Sequence, residues 1–188
     1  MTVRILGISG SLRCGSHNSA LLCGARAVLP PGVELERFDG LRAVPPYDED
    51  RDVEPAPAAV RVLRDAIRSA DAVLFSTPEY NHSIPGQLKN ALDWASRPFP
   101  DNAFRGTPVA VVGASTSMFG AVWAQAELRK VLGAIGARVI DRELAVAAVH
   151  HASDADGRLL APDHHRGLAE TIDALVAEAG GVPRNLAA

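Results

Sequence analysis

The 188 residues carry 19 basic and 22 acidic side chains, a net charge of −3, and that mild acidity excludes a surface dedicated to nucleic acid, which shows a basic excess or stripe. A chain of this length is expected to form one domain burying about 70% of its unfolded surface, and its 47% hydrophobic and 22% charged residues are ordinary for a globular protein. No apolar run nears the ~20 residues needed to cross a bilayer, and the chain opens on an apolar strand rather than a basic, apolar and small-residue leader, so a cytoplasmic protein without a membrane partner is expected.

Val3 to Ile8 is an apolar run that predicts a short buried strand, and Leu21, Leu22, Ala25, Val28 and Leu29 share one face of a following helix. Between them lies Gly10-Ser11-Leu12-Arg13-Cys14-Gly15-Ser16-His17-Asn18. A strand, a hydroxyl-rich turn and a helix start make a phosphate cradle, because the first N–H groups of a helix carry partial positive charge and lack internal partners. Ser11, Ser16 and Asn18 add neutral hydrogen bonds and Arg13 a cation. Gly10 and Gly15 match the glycines of a P-loop, but Ser16 and His17 stand where lysine and Ser/Thr are required. Gly7, Gly10 and Gly15 do not fit the G-x-G-x-x-G dinucleotide spacing either. What remains suits a terminal monophosphate, with flavin mononucleotide (FMN) the obvious one for a doubly wound fold; a plain Ser/Gly turn with a helix cap is the alternative.

Val33 to Phe38 mixes apolar and charged residues, as an edge strand does. The proline-rich stretch that follows, with Pro45, Pro46, Pro55 and Pro57 around Asp48-Glu49-Asp50, is expected to be a mobile surface excursion. Val60, Leu63, Ala66 and Ile67 mark a helix, and Ala72 to Phe75 a buried strand ending at Ser76-Thr77-Pro78. A third helix carries Leu88, Ala91, Leu92 and Ala95 and is entered through Ser83-Ile84-Pro85-Gly86. Val109 to Val112 is a fourth strand ending in Gly113-Ala114-Ser115, and Leu128, Val131, Leu132 and Ile135 give a fourth helix. Arg138 to Ile140 forms a fifth strand, which Leu144 to Val149 can join. Leu168, Ile172, Leu175, Val176 and Ala179 mark the last helix, and the tail after Gly180 is expected to fray.

Strands alternating with helices predict an open parallel sheet covered on both faces, with ligands outside the carboxyl ends of the strands where strand order switches. Three unusual loops lie at such ends: Gly10–Asn18, Thr77–Ser83 and Gly113–Gly120. The second, Thr77-Pro78-Glu79-Tyr80-Asn81-His82-Ser83, is polar and stiffened by Pro78, and can present backbone N–H and C=O groups to the edge of a planar ring such as an isoalloxazine.

With GSLRCGSHN at Gly10 to Asn18, PEYN at Pro78 to Asn81 and SIPGQLKNALDWASR at Ser83 to Arg97, the chain resembles the NADPH-dependent FMN reductase family of flavodoxin-like proteins, which includes quinone, chromate and azo-dye reductases. The resemblance spans nearly the whole chain. It implies a three-layer α/β/α sandwich with a five-stranded parallel sheet of order 2-1-3-4-5, built as one FMN-binding domain over residues 1–180. Carried over by position, Ser11, Arg13, Ser16 and Asn18 would hold the FMN phosphate, with Leu12 also among the cofactor contacts. Pro78, Glu79, Tyr80 and Asn81 would hold the ring, largely through main-chain atoms. Ser115 matches a ring-contacting position more loosely, because Thr116-Ser117-Met118-Phe119-Gly120 departs from the family pattern. His82 is a candidate for shaping acceptor preference, against a solvated loop histidine.

The implied reaction is ping-pong: NADPH or NADH delivers hydride to the flavin, and a small acceptor then takes its place and removes two electrons. The hard chemistry belongs to the cofactor, so no catalytic acid, base or nucleophile is assigned. A flavodoxin-type electron carrier that does not react with nicotinamide is the alternative, although such a carrier should be more strongly acidic around its flavin. Cys14 and Cys23 fit neither a CxxC pair nor a zinc knuckle. His150-His151 and His164-His165 are adjacent residues whose side chains diverge, so no metal is expected. No G-x-S-x-G elbow is present. Trp94 lies about 120° from the Leu88/Leu92/Ala95 face and Trp123 about 140° from the Leu128/Leu132/Ile135 face. Large off-core aromatics predict a buried partner surface, with cover by loops of the same chain the alternative. The resemblance implies a homodimer that can pair into a tetramer.

Overall fold

The computed structural model describes residues 2–180, so the tail expected to fray lies outside the described residues. In chain order the elements are β1 (Val3–Ser9), α1 (His17–Ala25), β2 (Val33–Arg37), α2 (Ala58–Ser69), β3 (Ala72–Thr77), α3 (Gly86–Ala95), β4 (Pro108–Ala114), α4 (Val122–Ala134), β5 (Arg138–Val139), β6 (Ala145–Val146), α5 (Val149–Ala152) and α6 (Pro162–Gly180).

Every residue of β3 and β4 is buried, which is why these segments read as unbroken apolar runs: a central parallel strand is covered on both faces. Their pleat divides the core. Val73 and Phe75 face a cluster built with Leu63 and Ile67 of α2, Leu88 and Leu92 of α3, and Leu128 and Leu132 of α4. Ala72 and Leu74 face the opposite cluster, with Leu21 and Leu22 of α1 and Leu168, Ile172 and Leu175 of α6. The strands run β2-β1-β3-β4-β5, all pairs parallel, as the resemblance implied. Register sets Ser9 beside Ser76 and Thr77 beside Gly113, so the tips of β1, β3 and β4 finish level on one edge.

The fifth position is shared. β5 pairs with Pro108 and Val109, and β6 pairs with Gly113 and Ala114 further along the same strand. Both segments expected in the fifth strand therefore contribute to it, the second only through Ala145 and Val146, and they are interrupted where Asp141-Arg142-Glu143 turns to solvent. Ion pairs of Arg142 with Glu170 (2.9 Å) and Glu143 with Arg129 (3.0 Å) hold the interruption outward.

Two expectations are corrected. The proline-rich stretch is tied down: Gln87 Nε2 donates to the carbonyls of Leu41 and Val44 (2.8 Å each), Asn90 Nδ2 donates to Pro45 O, and Asn90 Oδ1 accepts from Tyr47 N–H. A buried ion pair joins Asp52 to Arg64 at 2.9 Å, and the same guanidinium caps α3 by donating to Trp94 O. Because that stretch wraps over α3, Trp94 is fully buried, its indole N–H donating to Pro45 O (2.9 Å) and its ring meeting Tyr47 edge-on at 4.9 Å. It belongs to the core and offers no partner surface. Trp123, by contrast, remains 41% exposed.

Candidate functional site

The first loop is organised by the start of α1. Ser16 is the N-cap, its Oγ accepting from the N–H groups of Asn18 (3.2 Å) and Ser19 (3.3 Å). Ahead of it the chain turns tightly, with Ser16 N–H reaching Arg13 O and Arg13 N–H reaching Ser11 Oγ. Ser11 and Leu12 are half-buried, while Arg13, Cys14 and Gly15 are exposed. Gly10 is fixed by its neighbours: a Cβ there would lie 3.0 to 3.4 Å from Leu88, Thr77 and Pro78, so the first and second loops meet across a residue with no side chain. On the flank, Arg42 donates from Nη2 to Leu12 O, and Ser11, Arg13, Arg37 and Arg42 line a cavity of about 180 Å³. Hydroxyls, a helix N-terminus and a free-standing cation in one turn can receive a phosphate ester.

Asn18 is placed differently from expectation. Its side chain is buried, Nδ2 donating to Ala114 O (2.9 Å) and Oδ1 accepting from Ala114 N–H (3.1 Å) and the Ser76 hydroxyl (2.8 Å). It ties the first turn of α1 to the tips of β3 and β4. The physical reason is geometric: the N2 position of a helix over a parallel sheet points down onto the strand ends. Ser76, the partner sequence reasoning missed, is signalled only as a hydroxyl closing an otherwise apolar strand. Arg42, also missed, lies too far along the chain for any local spacing to reveal it.

The second loop is a two-residue reversal. Tyr80 and Ser83 exchange both N–H···O bonds at 3.0 and 3.1 Å, and Asn81 (φ +54) and His82 (φ +60) occupy left-handed positions, the conformation a primed hairpin turn requires. Glu79 turns its side chain away from the open edge, accepting at Oε2 from the N–H groups of Trp123 (3.0 Å) and Ala124 (3.1 Å). Pro78 is half-buried, and Tyr80 and Asn81 are exposed. His82 stands with Nδ1 3.6 Å from Glu79 Oε1 and its ring edge-on to Trp123 at 4.8 Å.

The third loop leaves β4 through Ser115, whose N–H donates to Val146 O (3.0 Å) and whose Oγ accepts from Ser117 N–H (3.1 Å). It carries an exposed apolar patch in which Phe119 packs against Trp123 at 4.9 Å and Met118 is 76% exposed. The three loops therefore gather at one edge of the sheet. A cavity of about 710 Å³ lies elsewhere, along β2 and α2; it collects no set of catalytic groups, and Arg26 there donates to the edge carbonyl of Leu35. His17, facing the α1 start, has its pKa held below the ordinary 6.5 by partial burial, then by the positive charges of Arg13 and His150.

Comparison with known proteins agrees with this arrangement. The family model for NADPH-dependent FMN reductase matches residues 3–151. The chain is 47% identical over 159 residues to an NAD(P)H-dependent FMN reductase of Pseudomonas aeruginosa, covering 84% of this chain and 85% of that one. It is 37% identical over 141 residues to a quinone reductase of Escherichia coli K12, covering 74% of each. Among solved structures, the flavoenzyme NAD(P)H:(acceptor) oxidoreductase FerB of Paracoccus denitrificans superposes with a TM-score of 0.83 at 33% identity, over 96% of this chain and 98% of that one. The level strand tips, the capped hydroxyl-rich turn, the reversed loop at Asn81 and this match across most of the sequence lead to one conclusion: the chain belongs to the NADPH-dependent FMN reductase family of oxidoreductases.

Proposed function

We propose that residues up to 180 form one FMN-binding unit that carries electrons from NADPH or NADH to a small acceptor, whether a quinone, an azo compound, a metal oxyanion or free flavin, in two alternating half-reactions. The observation that carries this reading is the convergence of the Gly10–Asn18, Thr77–Ser83 and Gly113–Gly120 loops on one sheet edge, two of them clamped to each other through Asn18 and Ala114. When bound, FMN supplies the hydride and electron chemistry.

The chain's own residues supply grip and shape. Ser11, Ser16, the free N–H groups of the first loop and Arg13 receive the phosphate, with Leu12 held by Arg42. Asn18 sets the height of that cradle from below. The main chain at Pro78, Glu79, Tyr80 and Asn81, held by the left-handed pair at Asn81 and His82, faces the ring rim, and Ser115 closes the opposite side. Backbone N–H groups aimed at the ring's oxygen edge would stabilise negative charge without reorganising. The aromatic patch at Met118, Phe119 and Trp123 adjoins the site, and we assign it to a second copy of the chain in a homodimer able to pair further; Trp94 plays no part. Among the described residues no helix is long and apolar enough to cross a membrane, and a cytoplasmic location fits this reading.

Anaerobic addition of NADPH or NADH to the FMN-loaded protein tests it: the visible flavin bands bleach, and an added quinone restores them. Bands that persist would identify a carrier of flavodoxin type instead. Initial velocities at varied donor and acceptor should give parallel reciprocal lines; intersecting lines would require a ternary complex and contradict the alternating scheme.

A further inference from the structure

Helix α4 starts without a cap of its own. Its N-cap residue is Ala121, which has no acceptor in its side chain and sits at φ +64 directly after Gly120 at φ +58. The orphan N–H groups of the first turn therefore need an acceptor from elsewhere. Glu79 provides one from 44 residues away: its Oε2 takes the N–H groups of Trp123 at 3.0 Å and Ala124 at 3.1 Å, the second and third helical positions that a local serine or aspartate cap would serve. The carboxylate also carries the sign that a helix N-terminus favours, and its side chain is only 11% exposed. A second strap runs in the opposite direction, from Ile84 N–H at the end of the reversed loop to Glu127 Oε2 on α4, 3.4 Å long. His82 fills the space between, edge-on to Trp123 and beside the other oxygen of Glu79.

Two carboxylates, one from each segment, thus cross-brace the loop after β3 and the helix after β4. We infer that Glu79 is a positioning residue that locks the 78–84 loop and the 115–124 segment into one body, fixing the two sides of the ring site relative to each other before a ligand arrives. The consequence for the flavin rests on the function proposed above; the mechanical coupling does not. The motif thereby divides its labour, since the main chain of Glu79 faces the site while its side chain holds the neighbouring helix.

The test uses the full-length chain as wild type, Glu79→Gln, Glu79→Asp and Glu79→Ala. Amide hydrogen exchange is followed by NMR without flavin, and FMN affinity by fluorescence quenching. In Glu79→Ala, exchange at Trp123 and Ala124 and also at Tyr80 and Ser83 accelerates by about tenfold, the scale set by loss of a helix cap, and FMN binds about tenfold more weakly. Glu79→Gln, which keeps one carbonyl acceptor at the same reach, restores most of both. Glu79→Asp keeps the charge but falls short and behaves like alanine. Acceleration confined to Trp123 and Ala124, with Tyr80 and Ser83 unchanged, would reduce Glu79 to a local cap and overturn the inference, as would FMN affinity within twofold of wild type in Glu79→Ala. If the wild-type chain takes up no flavin, the functional proposal fails and the exchange arms alone decide the coupling.

Discussion

Asn18 shows how one buried side chain can tie a helix start to two strand tips. Three polar groups converge on its carboxamide, two from Ala114 and one from Ser76, and all three residues are buried. Truncation in Asn18→Ala orphans all three, and a buried unsatisfied group costs about 1–3 kcal/mol; we expect a loss of about 3 kcal/mol in urea unfolding. Asn18→Asp fares no better, because an ionised oxygen replaces the donor facing Ala114 O. A cost under about 0.5 kcal/mol, the range of ordinary surface substitutions, would show that the network contributes little. His17 gives a pH signature at the same end of the site. Its depressed pKa means that the unfolded chain takes up the proton first, so its contribution is neutral well above 6.5 and stability falls as pH drops through and below that value. An NMR titration of His17 in the flavin-free protein should have its midpoint under 6.5; a midpoint at or above 6.5 would contradict the partial burial of its ring and the placement of Arg13 and His150 beside it.

Among the elements, α1 carries the capped, hydroxyl-rich turn at its start, and it is seated by glycine on both sides of a contact. A Cβ on Gly24 would come 2.2 Å from Gly157 O, and one on Gly157, at φ +80, would come 2.0 Å from Ala20 O. The turn before α6 therefore lies directly against the helix backbone. Gly32 has the same handedness, at φ +79, with nothing within 4 Å, which makes it an internal control. Gly32→Ala should cost only the left-handed strain of about 1 kcal/mol, whereas Gly157→Ala must also displace α1, adding about 2 kcal/mol or more by overpacking. Equal melting temperatures for the two variants would contradict that seating. The elements also show what a linear pattern reveals. β3 and β4 are plain in the sequence because burial on both faces leaves unbroken apolar runs, whereas Ser16 reads there as a phosphate contact and only the structure shows it capping α1. The proline-rich stretch reads as loose because its anchors, Gln87, Asn90 and Arg64, sit on helices far along the chain, and nothing local announces them. Trp94 reads as off-core for the same reason, since angular position on a helix cannot show that a loop folds back over it. The edge strand is legible as two joined segments but its interruption is not, because that depends on partners at Arg129 and Glu170.

At the scale of the molecule, the order of strands follows from the resemblance, and the register then brings three loops to one edge. Which side chains face that edge is a matter of packing, which is why Glu79 and Asn18 point elsewhere while Arg13, Tyr80 and Asn81 stay open. The remaining exposed aromatic patch, Phe119 and Trp123 with Met118, is what a buried partner surface requires. Light scattering at micromolar concentration should give twice the chain mass or a higher even multiple, and a monomeric mass would return that patch to solvent. We propose that the strand tips grip one flavin by its phosphate at one end and its ring rim at the other. Titrating the flavin-free protein with FMN and, separately, with riboflavin tests that grip, because the two ligands share the ring and differ by the phosphate. One FMN per chain should bind about a hundredfold more tightly than riboflavin, the scale of one or two charge-assisted hydrogen bonds; no uptake of FMN, or equal affinity for the two, would contradict the account.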